Sequence, residues 1–496
     1  MRRALALEIV GWTAALAVSV SVAAQVASSA RSGLVYRDGD SLVVAMLARS
    51  VLSGAPLDWA MSSVLFLPET AVFGALDAAL PADLNSLLAI NAVVNLLALY
   101  GALRLAAGRR RDGSAPVMWS LIALVAFGVI GMTETSPSRD ALDLASLQLT
   151  TTYYSATVVA VVLVIGLLRR SFDGAGRVTL VFAACVSALA TLSNPLFPVW
   201  AVVPMSAFLA FRMLRERRAA PTLAMLFALI GGTVVGLIGR IPFSAWIANT
   251  GVGYAQPELW RESIGYYGEL LLDRVSTPLG ALGSVIVIGL IAWAVVRTLR
   301  ATSPGERLLA AAGWLLPLLV VIGAIALGTH AARYLQPVVF APLLALVAAP
   351  RAQRPSRPLT RATAAAGVLL LLVGGFSIPR LSASAQAPDD DLSCVTDWVE
   401  TSGRTGAGQF WTVRLPKAHL DNPAQLVQVD HRLDGYAWLV NRTDLDVGEV
   451  SFLVEDAQST PWELPVGADP DAVVDCGRYR ILDFASSPLP IGPAHS

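Results

Sequence analysis

Two carboxylates, those of Asp38 and Asp40, stand close together near the start of a very apolar chain, in the segment YRDGD (36–40). Most other charge before residue 380 is arginine in short loops, so these acids have no obvious structural purpose. A carboxylate can take the proton from a hydroxyl group as that hydroxyl attacks a substrate. We therefore expect Asp38 or Asp40 to act as a catalytic base. The alternative is a solvated turn in which Asp40 caps a helix that begins at Ser41, because Asp is a favoured N-cap residue.

Cationic side chains occur in the later loops and at the ends of apolar segments. The stretch GTHAARYLQP (328–337) carries His330 and Arg333, and Arg37 directly precedes Asp38. Arginine offers a planar fork that matches two oxygens of a phosphate group. We expect His330, Arg333 and Arg37 to bind a phosphate. In the alternative interpretation, Arg333 snorkels from a helix end to the membrane interface and His330 makes only a structural hydrogen bond.

One further acid and a metal site complete the candidate chemistry. Glu134 follows the third apolar segment and is a candidate ligand for an acceptor or a metal, with a simple anion at the membrane interface as its alternative. Asp38 and Asp40 together would suit a divalent cation, although nothing in the sequence demands one. No cofactor is therefore firmly expected.

Composition predicts where these residues lie. A mean hydropathy of +0.62, with 55% hydrophobic and 15% charged residues over 496 positions, leaves too little polar surface for a soluble globular protein. The chain is predicted to be a polytopic membrane protein in contact with the lipid bilayer. A formal net charge of zero argues neither for nucleic acid nor for an acidic partner, and no nucleic-acid partner is expected. Lys417 is the only lysine, and this preference for arginine indicates a GC-rich bacterial gene.

About 20 apolar residues are needed to cross the roughly 30 Å hydrocarbon core of a bilayer. Eleven segments are predicted to do so, near residues 5–27, 85–107, 117–134, 153–168, 178–193, 196–212, 222–240, 277–296, 307–328, 334–349 and 362–379. Positive residues in short loops mark the cytoplasmic side. With the N-terminus inside, every inner loop carries at least two arginines, at Arg2–Arg3, Arg109–Arg111, Arg169–Arg177, Arg212–Arg218, Arg297–Arg307 and Arg351–Arg361. The tail beyond residue 380 is then predicted to lie outside.

The apolar segment 59–80 does not fit this map as a span, since counting it would move every later arginine cluster to the outer face. Pro68 and two acids inside it also disfavour a span. We expect residues 28–84 to form a large first external loop with amphipathic helices near 40–53 and 68–80 at the membrane interface. An alternative for the N-terminus is a cleaved secretory signal, which leaves the loop outside as well.

A second domain is predicted from residue 381 to 496, after a transmembrane domain of residues 1–380. Its β-type runs are FWTVRL (410–415), LVQVD (426–430), EVSFLVE (449–455) and RYRILDF (478–484), so a β-rich or α+β fold is expected. Its Gly-rich stretch GRTGAGQF (403–410) is read as a turn. Cys394 and Cys476 are expected to form a disulfide, with two free thiols as the alternative. Its tryptophans suit either a core or a sugar-binding face.

The chain resembles the GT-C superfamily of integral-membrane glycosyltransferases. The resemblance covers the architecture: an N-inside polytopic chain, an acidic motif in a large first external loop, a His/Arg-Tyr set before a late helix, and a C-terminal extracytoplasmic domain. It implies that the first-loop acid, Asp38 or Asp40, is catalytic, and that His330 and Arg333 meet the phosphate of a lipid-linked donor. The Asp-Gly-Asp spacing departs from subfamilies with adjacent acids, and the soluble domain is small.

The expected function is transfer of a sugar from a polyprenyl-phosphate-linked donor to a glycan, lipid or protein acceptor of the cell envelope, at the outer face of the cell membrane. Attack by the acceptor hydroxyl needs a base, whereas the leaving phosphate is already a stable anion and needs only compensating positive charge. The alternatives are a lipid or glycan transporter or flippase, and a non-catalytic envelope assembly protein.

Overall fold

The computed structural model describes residues 2–110, 113–216, 219–351 and 357–496. Parts of three predicted cytoplasmic loops, namely Arg111, residues 217–218 and residues 352–356, lie outside the described residues. The chain divides into two compact units. The first comprises residues 1–35, 88–242 and 252–385, and the second comprises residues 36–87, 243–251 and 386–496.

The first unit is built mainly from helices. Its long helices are Arg2–Ala27, Leu84–Ala106 (whose first turn belongs to the second unit), Pro116–Met132, Ser155–Phe172, Arg177–Ser193, Val203–Glu216, Ala219–Gly239, Trp260–Ser276, Pro278–Leu299, Pro304–Ala326 and Arg357–Ala385. Within the described ranges, seven segments are long and apolar enough to cross a membrane, at Ala4–Ala27, Leu84–Ala106, Ser155–Phe172, Pro221–Phe243, Pro278–Leu299, Pro304–Ala326 and Ala365–Ala385. These helices indicate a multi-pass membrane protein.

The predicted number of about eleven spans is not confirmed. Helices Pro116–Met132 and Arg177–Ser193 are apolar but only 17 residues long. The segment predicted at 196–212 begins with the π-helical turn Pro198–Val202 and continues as Val203–Glu216. The segment predicted at 334–349 is broken into the short helices Pro337–Phe340 and Leu343–Val347. Proline has no backbone N–H and restricts the residue before it, which explains why new helical pieces begin at or beside proline.

Local sequence explains where the helices begin and how closely they pack. Ser303 caps helix Pro304–Ala326 by accepting the Glu306 N–H at 3.2 Å, and the Glu306 carboxylate accepts the Thr302 N–H at 3.1 Å. This pairing is similar to a capping box, except that the Glu306 carboxylate binds the residue before the N-cap instead of the N-cap residue itself. Gly232 and Gly236 face helix Arg177–Ser193 so closely that a Cβ at either position would collide with its backbone oxygens. Small residues at a four-residue spacing allow this close approach between apolar helices.

The second unit combines the first loop with the C-terminal residues. Helices Val43–Leu52 and Leu67–Ala79 occur where the sequence predicts amphipathic helices, and they pack against each other. The intervening strand β1 (Trp59–Ala60) pairs antiparallel with β5 (Val440–Asn441). Pro68 stands in the first turn of helix Leu67–Ala79, where a missing N–H has no cost.

The strands of the second unit are β1 (Trp59–Ala60), β2 (Gly406–Gln409), β3 (Leu426–Val429), β4 (Asp434–Tyr436), β5 (Val440–Asn441), β6 (Glu449–Val450), β7 (Phe452–Asp456), β8 (Ala472–Cys476), β9 (Tyr479–Asp483), β10 (Leu489–Pro490) and β11 (Gly492–His495). Residues 386–496, all of which are described, fold around a mixed seven-stranded sheet of order β11-β4-β3-β2-β7-β9-β8. Helices Asp390–Ser402 and Phe410–His419 accompany this sheet.

Two local predictions for these residues are wrong. The run FWTVRL, predicted as a strand, lies in helix Phe410–His419. The stretch GRTGAGQF, predicted as a turn, contains the central strand β2, which pairs in parallel with both β3 and β7. Within this stretch the turn is at Gly403, whose left-handed conformation (φ 61°) ends helix Asp390–Ser402. Glycine is required in β2 because a Cβ at Gly406 or Gly408 would collide with neighbouring side-chain or backbone atoms of β7.

Two apolar clusters hold the sheet and its helices together. One joins Val395 and Val399 of the first helix and Val413 of the second to Phe452 and Ile481 of the sheet. The other includes Val427, Leu453 and Phe484. Trp398 and Trp462 pack against these clusters. Cys394 and Cys476 form a disulfide with a Cα–Cα distance of 5.6 Å, which links helix Asp390–Ser402 to β8.

Candidate active site

The Asp38-Gly39-Asp40 segment connects the short helix Ser32–Tyr36 to helix Val43–Leu52, and both carboxylates are half-buried. Asp38 Oδ2 accepts the Ser41 N–H at 3.0 Å. The carbonyl of Asp40 accepts the Val43 N–H at 3.4 Å. The helix therefore begins two residues later than Ser41, with Leu42 as its N-cap residue. The carboxylate that accepts the Ser41 N–H is that of Asp38, whereas the sequence-based alternative assigned the capping role to Asp40.

Gly39 lets this segment lie directly against helix Phe410–His419. A Cβ on Gly39 would be 3.2 Å from Cε3 of Trp411 and 3.4 Å from Cβ of Arg414. Those distances are shorter than most real Cβ contacts, so a larger residue would force the two elements apart. Glycine at position 39 thus gives the acids their close contact with this helix.

Arg414 is the cation beside the two acids, and its side chain has no exposed surface. Its Nε–H donates to the Gly39 carbonyl at 3.3 Å, and Nη1 donates to the Leu439 carbonyl. Burial lowers the pKa of Arg414 to about 9, while the negative charges of Asp40 and Asp38 act in the opposite direction. At neutral pH the guanidinium therefore remains charged between the sheet and the acidic segment.

Arg37 is an exposed partner of the C-terminal residues. Its Nη2 lies 3.2 Å from Oδ2 of Asp389, and the Arg37 side chain is 52% exposed. Asp389 also caps helix Asp390–Ser402 and pairs with Arg478 at 2.8 Å. Arg37, which directly follows the short helix Ser32–Tyr36, is thus part of an ion-pair network, and about half of its side chain remains exposed.

The first unit brings His330 and Arg333 together in one cleft of about 200 Å³, which Tyr254 and Tyr334 also line. Gly328 makes this cleft possible, because it has φ 61° and its Cα lies against the Gln256 carbonyl, where a Cβ would collide. His330 is exposed, with its ring 5.2 Å from that of Tyr266.

Arg333 is held on the wall of the same cleft. Its Nη1 lies 3.4 Å from Oδ1 of Asp140, and its guanidinium carbon is 5.6 Å from the centre of the Tyr334 ring. The side chain is 22% exposed. Arg333 also interacts with the Tyr154 side chain. A partly exposed arginine of this kind can bind a phosphate oxygen, and His330 beside it adds a second donor.

Glu134 is buried rather than presented to the surface. Its two carboxylate oxygens accept the N–H groups of Ala145 and Ser146, each at 2.7 Å. Nη1 of Arg274 is 3.9 Å from Oε1, and the charge of Arg31 also acts on this carboxylate. Arg31, also fully buried, binds three carbonyls and one hydroxyl of the 136–146 loop. Through these contacts Glu134 and Arg31 hold the 136–146 loop, which follows helix Pro116–Met132.

A divalent cation at Asp38 and Asp40 stays a prediction from the sequence. Across the described parts of the chain, no cluster of three or more His, Cys, Asp or Glu side chains could hold a metal ion.

Comparison with known proteins gives a coarse likeness of fold. No protein-family model matches the chain, and no curated protein sequence matches it significantly. The fold is similar to the crystal structure of the Archaeoglobus fulgidus oligosaccharyltransferase in complex with Zn and sulfate, with a TM-score of 0.48 and 13% identity over 90% of this chain and 68% of that chain. The apo form of that enzyme gives a TM-score of 0.45 and 12% identity over 90% and 69% of the two chains.

Arg414 is the main residue that the sequence alone did not reveal. It lies 375 positions from Gly39, within a run that the alternating pattern assigned to a strand. The available signal was the presence of one arginine within an otherwise apolar stretch, VRL, of the C-terminal domain. Charged residues are seldom fully buried unless they are paired, so an arginine in an apolar stretch predicts a hydrogen-bonding or acidic partner elsewhere in the chain.

Proposed function

We propose that this protein is an integral-membrane glycosyltransferase that moves a sugar from a polyprenyl-phosphate-linked donor to an acceptor of the bacterial cell envelope. Asp38 or Asp40 is the base that accepts the proton of the attacking hydroxyl. His330 and Arg333 bind the phosphate of the donor, and Arg37 is the additional exposed cation. The C-terminal residues from 381 onward and the first loop are extracytoplasmic in this proposal.

The observation that carries the proposal is the packing of the acidic segment. Two half-buried carboxylates flank a glycine whose carbonyl is bound by the fully buried Arg414. A segment held in this way presents its carboxylates with little freedom of movement, which favours proton transfer in a fixed geometry. The positive charge of Arg414 also offsets the repulsion between the two neighbouring negative charges.

The cleft lined by His330 and Arg333 supports the second half of the chemistry. A departing polyprenyl phosphate carries its electron pair away as an anion, so no proton donor is required. A partly exposed guanidinium within a tyrosine-lined cleft supplies the positive charge that this leaving group needs. A lipid-linked donor is consistent with the apolar helices of the same unit, which are long enough to cross a membrane.

The test is transfer from a labelled polyprenyl-phosphate sugar by the purified full chain. Asp38→Asn retains an oxygen that can accept the Ser41 N–H, so the local turn is preserved while the base is lost. We expect Asp38→Asn or Asp40→Asn to lower kcat by about 10²- to 10⁴-fold, the usual contribution of general base catalysis. Asp58→Asn is the matched control, since Asp58 is an exposed acid of the same loop that pairs with Arg442. Full activity in both Asp38→Asn and Asp40→Asn would refute the catalytic assignment.

A further inference from the structure

Helix Trp260–Ser276, every residue of which is described, is largely exposed, and its buried side chains are those of Ser263 and Tyr267. Apolar residues of the same helix, such as Leu271 and Leu272, are exposed instead. Residues four positions apart lie on the same face of a helix, so the two buried hydroxyl groups face one neighbour. Buried polar groups normally have hydrogen-bond partners, and this burial of hydroxyls in place of leucines indicates a specific contact.

The partner of both hydroxyls is Thr329, the residue directly before His330. Ser263 Oγ donates to the Thr329 carbonyl at 3.0 Å, and Tyr267 Oη lies 2.8 Å from Thr329 Oγ1. The threonine hydroxyl has a single proton, which it donates to the Ala324 carbonyl at 3.1 Å. In the bond between the two hydroxyls, Tyr267 is therefore the donor and Thr329 the acceptor.

Contacts with the same helix continue on the other side of His330. The N–H of Ala331 interacts with the Tyr267 hydroxyl oxygen, and the N–H of Ala332 interacts with that of Tyr266. The Tyr266 ring stands nearly perpendicular to the imidazole, with 5.2 Å between the ring centres. Tyr267 thus contacts the residues on both sides of His330, while the imidazole itself is exposed and lines the cleft.

This clamp acts on a part of the chain that has no regular structure of its own. His330 lies between the end of helix Pro304–Ala326 and the short turn Ala332–Leu335. Gly328, with φ 61°, turns the chain there, so the position of His330 depends on contacts with other elements. A binding group that is held in place before the ligand arrives loses less freedom on binding, and the ligand binds more tightly.

We propose that Tyr267 is a positioning residue of the donor site. Its hydroxyl fixes the backbone on both sides of His330 and so holds the imidazole in the cleft beside Arg333, where the phosphate of the lipid-linked donor binds. The inference rests on the proposed glycosyltransferase function. Tyr267 itself does not touch the donor, because its side chain is buried and the tyrosines that line the cleft are Tyr254 and Tyr334.

The test is binding of a fluorescent polyprenyl phosphate that carries no sugar to the detergent-solubilised full chain. Tyr267→Phe removes one hydroxyl and retains the ring, and the Thr329 hydroxyl can still donate to Ala324. We expect this variant to weaken binding by about three- to tenfold, and His330→Ala by about tenfold. Tyr100→Phe is the matched control, since Tyr100 is a buried tyrosine of the same unit whose hydroxyl has no hydrogen-bond partner among the described residues. The control should bind as wild type.

A double variant separates positioning from a contribution to stability alone. Adding Tyr267→Phe to His330→Ala should cause less than about twofold further loss of affinity, because no imidazole remains to be positioned. A purely structural role would weaken binding by the same factor with or without His330. Ser263→Ala removes the other contact with Thr329, is expected to act in the same direction, and serves if Tyr267→Phe does not fold. Thermal unfolding of each variant in the same detergent checks the fold.

The outcomes separate this inference from the proposed function. Folded Tyr267→Phe and Ser263→Ala variants that bind as well as Tyr100→Phe, or losses that multiply in the double variant, would overturn the positioning role and leave the phosphate site in place. Unchanged binding in both His330→Ala and Arg333→Ala would refute the phosphate site and the inference with it. Coupled losses of affinity, in a protein that transfers no sugar from any lipid-linked donor, would support the positioning role and refute the glycosyltransferase function.

Discussion

Replacing Arg414 by methionine is expected to lower the unfolding midpoint of the second unit by about 6–12 °C. The guanidinium donates to the carbonyls of Gly39 and Leu439. Hydrogen bonds from a charged donor contribute about 1.5–3 kcal/mol each. The desolvation that lowers the pKa of Arg414 offsets part of this gain. A net loss of about 3 kcal/mol remains, and for a unit of about 170 residues each kcal/mol shifts the midpoint by about 2–4 °C.

The assay is thermal unfolding of the detergent-purified full chain followed by tryptophan fluorescence. The transition of the second unit is recognised by its shift when the Cys394–Cys476 disulfide is reduced. Arg480→Met is the matched control, because Arg480 is 57% exposed and its pair with Glu455 contributes little. We expect the control to shift the midpoint by at most about 2 °C.

A third variant separates charge from geometry. Arg414→Lys retains a cation near Asp38 and Asp40 but cannot donate to both carbonyls, so an intermediate shift is expected. Equal midpoints for Arg414→Met and Arg480→Met would refute the conclusion that Arg414 joins the acidic segment to the C-terminal helix.

Three further results are expected. Arg333→Ala should weaken affinity for a lipid-linked donor while the protein remains folded, and unchanged affinity would remove the phosphate role of Arg333. Cys394→Ser should change the mobility of the denatured chain on a non-reducing gel, and identical mobility would exclude the disulfide. Burial tends to raise the pKa of Asp389, but the hydrogen bond and the charge of Arg478 outweigh burial and hold this pKa below its usual value. The stability that Asp389 contributes is therefore present above about pH 4 and is lost as the pH falls through the lowered pKa. Arg478→Gln should flatten the acid side of the plot of unfolding midpoint against pH, and an unchanged slope would contradict this assignment.

Hydrophobicity made the helical, multi-pass character of the chain predictable, because a long apolar run has few alternatives to a helix within a bilayer. It did not predict where those helices break. The segment beginning at Tyr334 is apolar enough for a span, yet the short helices Pro337–Phe340 and Leu343–Val347 divide it. The prolines were visible in the sequence, but hydropathy averages over them.

The C-terminal residues show a different limit. The run FWTVRL has strand propensity, but it folds as a helix that packs Val413 against the sheet. The stretch beginning at Gly406 has turn propensity, but it forms β2, where the absence of a side chain at Gly406 makes room for the Phe452 ring of the neighbouring strand β7. Tertiary packing overrides such weak local preferences. No periodicity in one sequence reveals a partner hundreds of residues away.

The candidate site was predictable only in part for the same reason. The acids at 38 and 40 and the pair His330 and Arg333 were identifiable from residue type and position, and the latter two line one cleft. The contacts of Arg414 and Lys417 with their carbonyls and acids depend on the folded second unit. These contacts therefore follow from the tertiary fold and not from the local sequence.

The proposed role of Asp38 and Asp40 in sugar transfer is tested most directly by the level of lipid-linked sugar in cells that carry Asp38→Asn and Asp40→Asn together in place of the natural chain. Mass spectrometry of extracted lipids should show accumulation of one polyprenyl-phosphate sugar, together with loss of that sugar from an envelope glycan, while the Asp58→Asn control matches the natural chain. Unchanged levels of every polyprenyl-phosphate sugar and of the envelope glycans, in cells with a normal amount of the variant protein, would contradict the proposed glycosyltransferase function.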